Sequence, residues 1–334
     1  MDYRTLGKDL KVSAVGMGCM GLSRSYGERP DRKYSVDLIA QAVDMGYTFF
    51  DTAPLYGTED APHDNEELLG EALKPYRDKI VLATKCGVEF DWSDPSTNKR
   101  VLTDAHPDVI KKSLEDSLKR LQTDHIDLYY LHRVDPKVPI EEVAATMKEL
   151  YQEGKILHWG LSAVDEATIR KAHAVFPLTA IENRYSMMYR STEDLFPTLE
   201  ELNIGLVAYS PLANGLLTNA YTKADLKKFA RGDDNRSVMP QFTEEGMDKN
   251  KDLLALIQKI AEEKQATPGQ ISLAWMIDKK PWIVPIPGSK KASRLKENLG
   301  ARDVELSQDE VKAIDDALDH MEMSDVFGGA PVNK

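Results

Sequence analysis

The chain is poor in cysteine, in tryptophan, in positive charge and in long apolar stretches. Its two cysteines, Cys19 and Cys86, form no CxxC pair and cannot make a disulfide framework. They suit a reducing compartment. No apolar run approaches the ~20 residues of a membrane span. Met1-Asp2-Tyr3-Arg4 leads into no apolar signal segment. The expectation is a cytoplasmic protein. Lys and Arg number 43 against 55 Asp and Glu, a net charge of −12. Such a surface repels nucleic-acid phosphate and anionic lipid, so the expected partner is a small molecule rather than a nucleic acid or a membrane. An anionic ligand would need a local basic cluster. There is no short repeat, low-complexity tract or Pro/Ser-rich linker, and residues 1–334 read as one domain. Composition leaves the oligomeric state open.

What is there is alternation. Short β-rich apolar runs occur at Tyr47–Asp51, Ile80–Lys85, Ile126–His132, Ile156–Ser162, Leu178–Asn183, Gly205–Ser210 and Trp282–Gly288. They are nearly continuous, as in strands buried on both faces of a parallel sheet. Amphipathic segments separate them. Ser35 and Gly46 bracket one expected helix. Pro107 and Pro139 open two more from their first turns, and Thr267-Pro268 opens another. Ser307 with Glu310 makes a capping box for the last. Seven βα units predict an α/β fold, a barrel or a doubly wound sheet. An eighth strand is expected in Ala301–Leu306. Tyr3–Leu6 and Lys11–Val15 predict a hairpin plug around Gly7-Lys8. Two long loops, Gly87–Ala105 and Leu212–Lys249, follow strand C-termini, where α/β enzymes bind ligands.

Gly16-Met17-Gly18-Cys19-Met20-Gly21 matches GxGxxG. A dinucleotide fingerprint of that kind needs a helix to start inside it. Leu22 to Pro30 has poor helical character, so the segment reads as a turn beside the barrel mouth.

Polar residues stand at successive strand ends: Asp51, Lys85, His132, Ser162 and Glu182, followed by Tyr209 and Ser210. In a parallel barrel those ends share one mouth. A buried lysine needs a counter-charge, and Asp51 on the neighbouring strand can supply it. A phenol beside an ammonium is expected to have a lowered pKa, which would suit Tyr56 as a proton donor. His132 can hydrogen-bond a substrate oxygen. The set is equipment for protonating a carbonyl oxygen while a hydride reaches its carbon. The competing assignment, a metal-dependent hydrolase using Asp51, His132 and Glu182, lacks an HxH pair or an HExxH motif.

These residues resemble the aldo-keto reductase family. Phe50-Asp51-Thr52-Ala53-Pro54-Leu55-Tyr56-Gly57 is similar to the segment carrying its Asp and Tyr, Ala83-Thr84-Lys85 to its lysine motif, and Tyr129-Tyr130-Leu131-His132-Arg133 to its histidine motif. Gly160-Leu161-Ser162 and Ala208-Tyr209-Ser210-Pro211-Leu212 look like its nicotinamide and phosphate contacts. Pro285-Ile286-Pro287-Gly288-Ser289-Lys290, with Arg294, Glu297 and Asn298, looks like its adenosine 2′-phosphate site. The resemblance covers nearly the whole chain. It implies a (β/α)8 TIM barrel with an N-terminal hairpin and long loops at the mouth. It implies NADP(H) as cofactor and a small carbonyl compound, an aldehyde or a ketone, as substrate. Tyr56 would be the general acid, Asp51 and Lys85 its tuners, and His132 the substrate orienter. Tyr209 would stack on the nicotinamide.

Three positions depart from the family pattern. Ala163 stands where Asn is common, Glu182 where Gln is common, and Gly288 where many members have Lys. Lys290, Lys291 and Arg294 form the basic cluster an anionic ligand needs, and Arg294 offers a planar fork for phosphate. Met20–Tyr26, the loop after Lys85 and Arg133-Val134-Asp135 are the expected substrate surfaces, with Trp92 as an aromatic wall. A barrel that binds NADP(H) to regulate a partner would keep the same tetrad.

Overall fold

The apolar runs assemble in chain order into one parallel sheet that curls into a barrel. The structure is a computed structural model that describes residues 3–96, 99–229 and 234–328; Met1, Asp2 and residues 329–334 lie outside the described residues. It opens with the antiparallel hairpin β1 (Tyr3–Leu6) and β2 (Leu10–Ser13), with Arg4 opposite Val12. The barrel strands are β3 (Met17–Gly18), β4 (Phe49–Asp51) and β5 (Val81–Cys86). A small antiparallel hairpin, β6 (Val88–Phe90) with β7 (Val101–Thr103), interrupts them. The barrel resumes with β8 (Ile126–Leu131), β9 (Ile156–Ser162), β10 (Ala180–Arg184), β11 (Gly205–Tyr209) and β12 (Ile283–Pro285). Neighbours in the sheet run β12, β11, β10, β9, β8, β5, β4, β3. The Gly16 amide donates to the Pro285 carbonyl at 2.9 Å, bringing the two edges together. The result is a (β/α)8 barrel.

The eighth strand is not where it was expected. Residues 300–303 form a short 3₁₀ turn, and the missing strand is β3, inside the Gly-rich segment at the start of the chain. Two residues of strand between glycines carry no apolar run, so periodicity cannot find it. The glycines serve the seam. A Cβ on Gly18 would lie 2.7 Å from the Ile286 carbonyl oxygen, and one on Gly288 would lie 2.4 Å from that of Gly18. The fingerprint is a close approach of two backbones, not a dinucleotide turn.

Helices cover the outside. The segment Arg32–Met45 is capped by Asp31, whose carboxylate accepts from the Tyr34 amide. Ser35 lies inside the first turn rather than at the cap. Gly46 ends the helix at φ 106°, as expected of a left-handed C-cap. The Pro107–Leu121 helix starts at its proline, and Pro139 caps Ile140–Gln152 from one residue outside. Thr267 with Gln270 and Ser307 with Glu310 form capping boxes.

Two apolar layers result. One lies between sheet and helices, with Trp159, Trp275, Leu114 and Ile257 fully buried. The other fills the barrel bottom. Leu6, Leu10 and Val12 of the first hairpin pack there on Phe49, Leu128, Tyr130, Val207 and Val284. With the bottom plugged, the open end is the C-terminal mouth.

Candidate active site

Five neighbouring strands of the barrel, β4, β5, β8, β9 and β10, each deliver a polar side chain to the mouth. Asp51 ends β4, Lys85 lies one residue before the end of β5, and His132 follows β8 with its amide bonded to the Cys86 carbonyl. Ser162 ends β9 and Glu182 sits in β10, the two directly paired across the sheet. Tyr56 lies in the turn after β4. Buried Asn65 holds this region: its backbone amide donates to the Tyr56 carbonyl at 3.1 Å, and its side-chain amide donates to Cys19 O and Ser23 Oγ.

Lys85 is fully buried and its ammonium is the hub. It donates to both Asp51 carboxylate oxygens at 2.7 and 2.8 Å, to the Thr52 carbonyl at 3.0 Å and to the Tyr56 hydroxyl at 3.4 Å. Glu182 Oε2 lies 3.3 Å from the same nitrogen but without hydrogen-bond geometry. The Tyr56 ring meets that of His132 edge-on, 6.0 Å between centroids.

The electrostatics differ from the sequence expectation at Tyr56. Burial pushes its phenol above the ordinary value, Lys85 pulls it back, and Asp51 and Glu182 push it up again. One ammonium does not outweigh burial and two carboxyls, so the expected lowering is not found. Burial would also discharge Lys85, but Asp51 and Glu182 hold it above its ordinary value, and it stays charged. Burial raises Asp51 as well, against the pull of Lys85. Glu182 is pushed up to about 8, by burial first and then by Asp51. Of the two carboxyls, Asp51 has the Lys85 hydrogen bonds, so Glu182 carries the proton at neutral pH. His132 is driven well below its ordinary value by burial and by the Arg133 and Lys85 charges. It is a neutral imidazole, with its buried Nδ1 lacking a hydrogen-bond partner.

A cleft of about 650 Å³ runs from Asp51, Tyr56, His132, Ser162 and Glu182 past Tyr209, Ser210 and Leu212 to Gly288, Ser289, Lys290, Arg294 and Asn298. Thus most of the expected site residues line one space. Lys85 lies behind Asp51, and Glu297 lies behind Arg294, which it binds with both carboxylate oxygens at 2.8 and 2.6 Å. Lys290 lines the cleft, yet its ammonium donates to the carbonyls of Tyr26, Gly27 and Glu28. Lys291 lines it too. Trp92 does not line the cleft; it packs edge-on against Phe90, which does. Met187 and Met188 are buried in the core.

Arg24 lines the cleft from the expected surface Met20–Tyr26, whereas sequence reasoning did not single out Arg184, Asn214, Arg236 and Phe327, which line it too. Arg236 and Asn214 belong to the flagged loop Leu212–Lys249, which was the available signal. Phe327 arrives from the last segment of the chain, where no pattern announces it. Among the described residues, the His and carboxylates within mutual metal-binding reach are Asp104, His106 and Asp135, not the Asp51, His132 and Glu182 of the hydrolase alternative.

A parallel barrel whose mouth holds a buried lysine between a carboxylate and a phenol, beside a neutral histidine, has the parts of a carbonyl oxidoreductase. Comparison with known proteins agrees. The model described as "Aldo/keto reductase family" matches residues 14–319. A probable aldo-keto reductase 1 of Glycine max is 38% identical over 331 residues, 97% of this chain and 89% of that protein. Among solved structures, a glycerol dehydrogenase from Gluconobacter oxydans superposes with a TM-score of 0.82 at 31% identity, covering 96% of each chain. An aldo/keto reductase from Klebsiella pneumoniae, in complex with NADP and acetate, gives 0.70 at 26% identity over 98% of this chain and 99% of its own. The chain belongs to the aldo/keto reductase family and is an oxidoreductase. No helix among the described residues is long and apolar enough to cross a membrane.

Proposed function

We propose that the protein is a cytoplasmic enzyme that reduces small aldehydes, and ketones, to alcohols with NADPH, and that residues 1–334 work as one barrel domain. The observation that carries this reading is the contact of Lys85 with both Asp51 and Tyr56 at one end of a cleft whose other end holds Arg294.

The cleft suits an extended dinucleotide. Its length is lined by polar ends, the Glu182 Oε2 and His132 Nδ1 atoms at the inner end lack hydrogen-bond partners, and the Lys291 and Arg294 cations stand at the outer end. Ser162 and Glu182 would hold the carboxamide of the nicotinamide, with Tyr209 against its ring. Ser210 and Leu212 would meet the diphosphate. Gly288, Ser289, Lys291 and Arg294 would meet the 2′-phosphate, with Asn298 near the adenine and Glu297 orienting Arg294. The NADP complex of the Klebsiella pneumoniae relative supports this choice of cofactor. When bound, the reduced nicotinamide supplies the hydride.

The chain's own residues supply the rest. His132, neutral and a hydrogen-bond donor, orients the carbonyl oxygen between its ring and the Tyr56 hydroxyl. Tyr56 gives its proton to that oxygen as negative charge develops there. Lys85 stabilises the phenolate left behind, and Asp51 keeps Lys85 in place and charged. Leu55, Val88, Phe90 and Val101 make the apolar wall that keeps water from the reacting centre.

The test is NADPH consumption with a reactive aromatic aldehyde such as 4-nitrobenzaldehyde, run on wild type and Tyr56→Phe. We expect saturable turnover in the wild type. The variant should lose roughly 10²–10⁴-fold in kcat, the range for a positioned general acid, while binding NADPH nearly as tightly. A variant as active as wild type would overturn the role of Tyr56. Tight NADPH binding without turnover on any carbonyl would point to a regulatory barrel.

A further inference from the structure

The mouth holds one buried carboxyl more than the proton-transfer step needs. Asp51 already neutralises Lys85 through two hydrogen bonds. Glu182, only 3% exposed, brings a second carboxyl to the same ammonium at 3.3 Å, and its Oε2 atom has no hydrogen-bond partner. A second buried anion here would be uncompensated, and uncompensated burial of charge is costly.

We propose that Glu182 sets the acidity of Tyr56: uncharged, it leaves the Asp51–Lys85 pair balanced and the phenol able to give up its proton; charged, it withdraws that ability. The proposal rests on the reductase reading above and adds a positioning residue to it. The physics is a charge count. Transfer from Tyr56 creates a phenolate 3.4 Å from Lys85. With Glu182 neutral, the pocket holds one cation and one anion before the step. With Glu182 ionised it holds two anions, and a phenolate becomes a third. Glu182 acts on Tyr56 in this direction, raising its pKa.

The groups that face Glu182 are few. They are Ser162 from β9 and Lys85 from β5, Asp51 from β4 with Tyr56 beyond it, Tyr130 from β8 with His132 and Arg133 after it, and Tyr209 from β11. Arg184 stands two residues along the same strand. Tyr130 is buried, pushed well above its ordinary value and stays a neutral phenol; His132 is held neutral. Lys85 is held charged by Asp51 and Glu182. Of the two carboxyls, Asp51 holds both Lys85 hydrogen bonds and stays the anion, and Glu182, pushed up to about 8, changes its charge between pH 7 and 9.5.

The experiment is the pH profile of kcat for aldehyde reduction in wild type and Glu182→Gln, each scaled to its own maximum. It is paired with infrared pH-difference spectra of the cofactor-free proteins. We expect wild-type kcat to fall about tenfold between pH 7 and 9.5 while the variant changes by about twofold or less. We also expect a protonated-carboxyl carbonyl band that disappears over that interval in wild type and is missing throughout in Glu182→Gln. Parallel kcat profiles, or no such band in wild type, would overturn the proposal. If Glu182→Gln fails to fold, the wild-type band and wild-type profile must titrate together, and a mismatch overturns it. Failure to turn over any carbonyl defeats the reductase reading instead. The infrared band then decides alone: present and lost on alkalinisation it upholds Glu182 as the titrating group, absent it ends the proposal.

Discussion

The ammonium of Lys290 donates to the backbone carbonyl of Glu28 at 2.6 Å, tying the loop expected to hold the 2′-phosphate to the loop over the substrate mouth. With Tyr26 and Gly27 also accepting, the side chain is a strap. Arg294 and Lys291 are then the cations left to face a phosphate. Arg294→Ala should raise KM for NADPH about tenfold or more, ~1.4 kcal/mol, and leave KM for NADH nearly unchanged. Lys290→Ala should keep the NADPH to NADH preference within about twofold while altering KM for the aldehyde. Steady-state kinetics with both cofactors decides. Equal loss of preference in the two variants would make Lys290 a phosphate ligand instead.

Much of this is legible in the sequence. Ile126–Leu131, buried at all six positions, shows why a continuous apolar run reads as a barrel strand. Asp51, Lys85, His132, Ser162 and Glu182 were found because strand ends point the same way in such a barrel. What was not legible depends on distances between remote segments. β3 is two residues long and defined by the seam it closes, not by its own pattern. The direction of the Tyr56 shift depends first on how deeply the folded barrel buries the phenol, with the Asp51 and Glu182 carboxyls adding to it, and no spacing encodes that burial. Trp92 gave way to Phe90 because the β6–β7 ladder ends at Phe90: Val88, Phe90 and Val101 of the hairpin line the cleft, and Trp92 lies beyond the last paired residue.

The seam gives a second prediction. Gly288 cannot carry a side chain without moving its backbone, because a Cβ would stand 2.4 Å from the Gly18 carbonyl oxygen. Neither partner atom is the flexible end of a side chain. Gly288→Ala and Gly288→Lys should each destabilise by roughly 1–3 kcal/mol, the usual cost of overpacking. Restoring the lysine common in the family at this position should therefore weaken the protein rather than improve phosphate binding. Thermal unfolding reads it; a Tm equal to wild type in Gly288→Ala would refute the close approach.

His132 gives a third. Its pKa is depressed in the folded protein, so the folded state binds its proton less readily than the unfolded chain. Stability from this source is fully present above the unfolded value of about 6.5. It is lost as pH falls from there toward the folded value. Wild type should lose Tm more steeply than His132→Asn below pH about 6.5, and the two curves should run parallel above it. The kcat profile of the wild type should show no acid limb near pH 6.5, since the imidazole is already neutral there. Curves parallel over the whole range would mean that His132 titrates normally.

Ala163 gives the last. It follows β9 with φ at +54°, a left-handed conformation that costs an alanine roughly 1–2 kcal/mol and an asparagine less. Its amide is bonded to the Glu182 carbonyl at 3.0 Å, which fixes the backbone in that shape. The position adjoins Ser162, which lines the inner end of the cleft. Asparagine here would relieve the strain and add an amide where a carboxamide is expected to bind. Glycine would relieve the strain alone. Ala163→Asn and Ala163→Gly should therefore both raise stability, by about 0.5–1 kcal/mol, and only the asparagine should tighten NADP(H) binding in a fluorescence titration. Tightening in both variants would assign the effect to backbone relaxation. Tightening in neither would place the carboxamide elsewhere in the cleft.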